Sequence, residues 1–189
     1  MKRIGKKVRV IKIFFFLVVM VFTSGFIGIE KEIVSIESRV KWMTFEEAVE
    51  KSKTEKRKVF IDVYTDWCGW CKEMDKNTFS HEVIAAYLNE NFYAVKLNGE
   101  QKEDIIFRGT TFKFVAQGRN GYHELAAALL NGKLSYPTVV FLDENFDMLQ
   151  PLPGYQKPDF FDAVLKYIGG DHYKKVKWTD FQQSYKSPF

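Results

Sequence analysis

The stretch Val59-Phe60-Ile61-Asp62-Val63-Tyr64-Thr65-Asp66-Trp67-Cys68-Gly69-Trp70-Cys71-Lys72 decides how this 189-residue chain is read. Val59 to Tyr64 is a near-continuous apolar run, suited to a strand at the centre of a sheet covered on both faces. Cys68 and Cys71 are the only cysteines in the chain. The two residues between them put both on the first turn of a helix, where the sulfurs can meet. The order strand, short turn, C-x-x-C and helix is the context in which this spacing reads as a redox pair. A thiol at a helix N-terminus faces unpaired backbone N–H groups and the positive end of the helix dipole, and both favour thiolate over thiol. Cys68, nearer the helix start, is expected to be the more exposed nucleophile, and Cys71 the resolving thiol.

Competing uses of the pair fit less well. A structural zinc site needs four ligands, but there is no second C-x-x-C, and His81, His123 and His172 are scattered without ligand spacing. Haem attachment needs histidine directly after the second cysteine, where Lys72 stands. A purely structural disulfide closing so short a loop would constrain the unfolded chain little. The sequence therefore predicts thiol chemistry with no metal and no organic cofactor.

The segment Phe60 to Lys72 resembles the active-site segment of the thioredoxin superfamily, and most of all that of exported bacterial thioredoxin-like proteins and thiol:disulfide interchange domains. Three distant matches accompany it: Asp62, six residues before Cys68; Lys96 within Ala94-Val95-Lys96-Leu97-Asn98; and Pro137 within Tyr136-Pro137-Thr138-Val139-Val140-Phe141. The resemblance covers roughly residues 41–169. It implies an α/β, thioredoxin-like fold, with a central mixed sheet flanked by helices. It also implies that Asp62 lies beneath the cysteines, partnered by Lys96, and helps move the proton of Cys71. A cis Tyr136-Pro137 bond is expected to face the C-x-x-C, with Trp67, Gly69, Trp70, Tyr136 and Pro137 forming the substrate-binding set. The main departure from the family pattern is Trp70, where proline usually stands. Tryptophan keeps a backbone N–H that proline lacks, so the couple is expected to be somewhat more oxidising than thioredoxin's.

The composition, 46% hydrophobic and 16% aromatic, supports one ordinary core. The net charge of +4 misleads, because Lys2, Arg3, Lys6, Lys7, Arg9 and Lys12 precede any acidic residue. Setting those six aside leaves 22 basic against 24 acidic residues, so the remainder shows no nucleic-acid signature. The basic start is followed by the apolar run Ile13 to Phe22 and the small residues Thr23-Ser24-Gly25, the pattern of a signal peptide over 1–25. An uncleaved membrane anchor is the alternative, and only then would the protein contact a membrane. Either reading puts the domain in the periplasm or another extracytoplasmic space, where disulfides need management. A linker (26–40), the thioredoxin-like domain (41–170) and a C-terminal extension (171–189) would follow.

Along the domain, Thr44-Phe45-Glu46-Glu47 is a capping box opening a helix through about Lys53, with Phe45, Ala48 and Val49 inward. Lys51 to Lys58 reads as a solvated, charged turn. The helix from Cys68 should run to about Lys76 and resume with Ser80 as N-cap, burying Val83, Ile84, Tyr87 and Leu88. Residues 99–120 read as an insertion before the proline strand, made of a short helix and an irregular segment. Gly121 to Leu130 reads as a helix, with His81 and His123 on the surface. Asp143-Glu144-Asn145 predicts a turn into an edge strand near Met148 to Leu152. Pro158 to Ile168 predicts a helix ended by Gly169-Gly170, after which Trp178 and Phe181 should dock on the domain.

The function expected is dithiol-disulfide exchange with protein substrates carrying disulfides or thiols, favouring reduction. An upstream redox protein, such as a membrane electron carrier, would supply the electrons. Two alternatives stay open: an oxidase or isomerase using the same pair, and a redox-silent module that binds client peptides in the groove near Trp67, Trp70 and Tyr136.

Overall fold

The computed structural model describes residues 39–118 and 120–189. The expected signal or anchor, residues 1–25, and nearly all of the expected linker lie outside the described residues. Among the described residues, no helix is long and apolar enough to cross a membrane.

A four-stranded mixed sheet carries the domain, in the spatial order β2, β1, β7, β8. Here β1 is Lys58–Tyr64, β2 Phe92–Asn98, β7 Thr138–Leu142 and β8 Met148–Pro153. β2 runs parallel to β1, while β7 is antiparallel to β1 and β8 antiparallel to β7. Because side chains alternate along a strand, β1 feeds two cores. Val59, Ile61 and Val63 pack with Phe45 and Ala48 of α1 (Phe45–Ser52) and with Leu125, Ala126 and Leu129 of the later helix α4 (Glu124–Leu129). Phe60 packs on the opposite face with Met74 of α2 (Gly69–Met74), with Ile84 and Leu88 of α3 (Glu82–Asn91), and with Phe161 and Leu165 of α5 (Pro158–Gly169). The fold is thioredoxin-like: a central mixed sheet between helical layers.

Several expectations hold. Thr44 Oγ1 accepts the Glu47 N–H, and the Glu47 carboxylate accepts the Thr44 N–H, closing the capping box of α1. Pro137 stands immediately before β7, and the Tyr136-Pro137 bond is cis. α6 (Trp178–Ser184) brings Trp178 onto Phe160 and Tyr167 and buries Phe181, so the tail docks.

Other elements differ from the sequence reading. α2 passes into a π-helical stretch, Asp75–Phe79, whose wider turn allows the adjacent Thr78 and Phe79 both to be buried. Ser80 closes that stretch by donating its N–H to Asp75 O; it does not cap α3, whose N-cap is His81. α3 buries Ile84, Ala85 and Leu88, leaving Val83 exposed about a third of a turn away.

Among the described residues between 99 and 120 the insertion has no helix; it forms two hairpins, β3 (Ile105–Phe107) with β4 (Thr110–Phe112), and β5 (Phe114–Gln117) with β6 (Asn120–His123). Arg108 and Gly109, at φ of 50° and 77°, make the tight two-residue turn of the first hairpin. Because residues 120–123 pair with β5, α4 begins only at Glu124. Lys58, expected in a solvated turn, is buried and forms ion pairs with Glu144 at 2.8 Å and Asp171 at 2.9 Å.

Candidate active site

The C-terminal end of β1 and the start of α2 hold the two cysteines. The Cys68 N–H donates to Thr65 O, turning the chain sharply out of the strand. Cys68 then occupies the N-cap of α2, its sulfur accepting the backbone N–H of Cys71 at 3.1 Å. The two sulfurs are joined in a disulfide, with an S–S distance of 2.09 Å. Both cysteines are buried, Cys68 at 3% and Cys71 at 2% exposure, so Cys68 is only marginally the more exposed.

Trp67 and Trp70 are 66% and 65% exposed, far beyond most tryptophans of a folded domain. The Trp67 indole N–H lies 3.1 Å from both carboxylate oxygens of Glu100, and its ring meets Tyr136 edge-on at 6.0 Å. Trp70 leans on Tyr155, ring centroids 5.6 Å apart. Tyr136 in turn lies so close over Gly99 that a Cβ there would stand 2.5 Å from its hydroxyl. Between the two indoles, Gly69 leaves the surface open, since a Cβ at that position would meet nothing within 4 Å. Glu100 and Tyr155 carry no sequence signal of their own, because their roles arise only where distant loops converge.

Asp62 shares the parity of Phe60, which aims it at the α2 side of the sheet. Strand register puts it opposite Lys96 on β2 and Val139 on β7. Its carboxylate is 1% exposed, with Oδ2 2.6 Å from Lys96 Nζ and Oδ1 without a hydrogen-bond partner among the described residues. Burial pushes its pKa up to about 6, with Lys96 opposing that rise. Burial alone would lower Lys96, but Asp62 and Asp75 together hold it above the usual lysine value. The ammonium also sits 4.8 Å from the Trp42 ring centroid and 5.1 Å from that of Tyr64.

Of the remaining candidates, His81 is exposed and meets Phe189 edge-on. His123 is not a surface residue; it is wholly buried. Its Nδ1 accepts the Leu125 N–H at 3.3 Å as the N-cap of α4, and Nε2 lies 3.1 Å from Glu103 O. Both ring nitrogens are engaged structurally. Among the described residues, no group of three or more His, Cys, Asp or Glu side chains is placed to hold a metal ion.

Sheet order, the cis proline and a disulfide at a helix N-terminus together define a thioredoxin-fold domain. Residues 33–149, more than half of the chain, match the family Thioredox_DsbH, described as a protein of unknown function, DUF255, and the chain belongs to that family. It is 32% identical over 77 residues to the uncharacterized protein B0495.5 of Caenorhabditis elegans, a match taking in 41% of this chain and 11% of that one. The chain thus spans about a tenth of the length of the curated relatives it matches. The fold is similar to that of a thioredoxin-fold protein from Helicobacter pylori (TM-score 0.53, 19% identity, 79% of this chain and 89% of that one). It is similar also to a thioredoxin from Thermus thermophilus (TM-score 0.52, 18% identity, 71% and 92%).

Proposed function

We propose that this domain is a thiol-disulfide oxidoreductase that exchanges disulfides with protein substrates outside the cytoplasm and works mainly as a reductase. The observation that carries the reading is the Cys68 sulfur at the N-cap of α2, accepting a backbone N–H and within bonding distance of its partner. In the reduced protein the same N–H would stabilise a thiolate on Cys68. That thiolate attacks a substrate disulfide, forming one S–S bond and releasing one substrate sulfur as thiolate. Asp62 then takes the proton of Cys71, and the freed Cys71 sulfur displaces the second substrate sulfur from Cys68. Two electrons leave the dithiol and reduce the substrate disulfide.

Trp67, Trp70, Tyr136 and Pro137 frame the opening over Gly69 and would hold an extended substrate segment there. A separate redox protein, such as a membrane electron carrier, would return the electrons. Location outside the cytoplasm rests on the basic and apolar residues of the N-terminus. The extra backbone donor at Trp70 supports a couple more oxidising than thioredoxin's value of about −270 mV.

A second reading, a peptide-binding module with an idle disulfide, draws on the exposure of the two indoles. Insulin reduction separates the two. Turnover abolished by both Cys68→Ser and Cys71→Ser supports the enzyme, whereas absent turnover with retained peptide binding supports the module. Mixed disulfides trapped with Cys71→Ser would identify the substrates and the direction of exchange.

A further inference from the structure

The ammonium of Lys96 is shared between two carboxylates. Besides Asp62 Oδ2 at 2.6 Å, it forms an ion pair with Asp75 Oδ1. Asp62 is sealed in the core, while the Asp75 side chain is 45% exposed, so the three groups form a line from the buried acid to solvent. The rings of Trp42, Tyr64 and Phe79, at 4.8, 5.1 and 5.6 Å, hold the ammonium in place between them. Asp75 and Phe79 are the two ends of the π-helical stretch that continues the C-x-x-C helix, so this irregularity presents both to Lys96. π turns set into α-helices occur frequently at functional sites.

We propose that Asp75 is a positioning residue for the thiol chemistry: by competing for Lys96 it loosens that lysine's hold on Asp62 and sets the pH range in which Asp62 can accept the Cys71 proton. The proposal rests on the oxidoreductase reading. In the step concerned, the S–H bond of Cys71 breaks and its proton passes to the Asp62 carboxylate. The Cys71 sulfur bonds to Cys68, and the bond between Cys68 and substrate opens, the substrate leaving as thiolate. The electron pair comes from the dithiol, and no other reductant enters.

A strong, exclusive Lys96–Asp62 pair would hold Asp62 ionised and make it a poor proton acceptor. Sharing with Asp75 relaxes that. Burial is the main cause of the high pKa of Asp62, Lys96 opposes it, and the charge of Asp75 adds to it. Tyr64, on the same strand as Asp62, feels both acids and Lys96, and β7 presents Val139 opposite Asp62.

The test is Asp75→Asn in the full chain. The Asp62 carboxyl is followed by 13C NMR titration, and insulin reduction is measured against pH. The Asp62 midpoint should fall by about half a pH unit or more, as expected for losing a charge a few ångströms from Lys96. The acid limb of the rate profile should move with it, and Asp75→Glu should restore both. An unmoved Asp62 midpoint overturns the proposal, even if the variant melts at a lower temperature, because loosened packing alone would not shift a titration in the folded protein. The titration needs no turnover. A shifted midpoint in a protein that reduces no disulfide supports the coupling and removes the oxidoreductase reading; an active protein with an unmoved midpoint removes the coupling alone.

Discussion

The backbone N–H of Cys71 points at the sulfur of Cys68 from 3.1 Å, so the first cysteine caps the helix that carries the second. Cys71 lies one turn further into the helix, is buried, and supplies that N–H rather than receiving one. Once the disulfide is reduced, iodoacetamide at neutral pH should label Cys68 about tenfold faster than Cys71. Mass spectrometry of the labelled peptides reads the ratio, and equal labelling would contradict the helix-terminus argument.

Asp62 makes stability depend on pH in a direction opposite to most carboxylates. Its folded pKa of about 6 lies above the ordinary aspartate value, so the folded state holds a proton that the unfolded chain has released. This group's contribution is therefore full below about pH 4 and is lost as pH rises towards 6. Asp62→Asn should leave stability near pH 4 almost unchanged and raise it at pH 7 by on the order of 1–3 kcal/mol, with Lys96 still paired to Asp75. The same variant should slow disulfide exchange. Urea unfolding at the two pH values tests it, and a variant that loses stability at pH 7 would refute it.

Gly99 supports the aromatic rim from beneath. A Cβ there would lie 2.5 Å from the Tyr136 hydroxyl and force the ring out of its contact with Trp67. Gly99→Ala should raise the KM for insulin severalfold with a smaller change in kcat, and cost about 1–3 kcal/mol of stability as an overpacked site. In a Tyr136→Ala background the same substitution should have little further effect, because the clash is gone. Additive losses would place the effect elsewhere.

His123 ties the insertion to the site. Its backbone N–H donates to Gly99 O at 2.7 Å, while its ring caps α4 and meets Glu103 O. His123→Ala removes a fully buried ring and two side-chain hydrogen bonds, so a loss of about 2–4 kcal/mol is expected. Asn keeps the capping oxygen and should recover about 1 kcal/mol of that. Denaturant midpoints for the two variants give the comparison; equal midpoints would show that the cap contributes nothing.

The parts of the fold legible in the sequence were those encoded at short range. β1 announced itself through a near-continuous apolar run, α1 through reciprocal capping by Thr44 and Glu47, and α5 through spaced apolar residues behind Pro158. The hairpins of the insertion were missed because their apolar residues do not alternate clearly and the turn at Arg108-Gly109 lacks the usual Asn-Gly or Asp-Gly signal. His123 was misplaced for a related reason. A histidine followed by Glu124 looks solvated until Gly99 and Glu103, both distant in sequence, supply its partners.

By itself the sequence determined that two cysteines three positions apart would follow a central strand and head a helix, since strand burial and helix geometry are local properties. Only tertiary structure decided what surrounds them. The pairing of Asp62 with Lys96, 34 residues apart, is fixed by the parallel register of β1 and β2; before folding it rested on resemblance alone. The sharing of Lys96 with Asp75 depends on the π-helical stretch, and the clasp of Trp67 by Glu100 depends on a loop held by the insertion. Each is a contact between side chains whose positions follow from how separate layers of the domain pack.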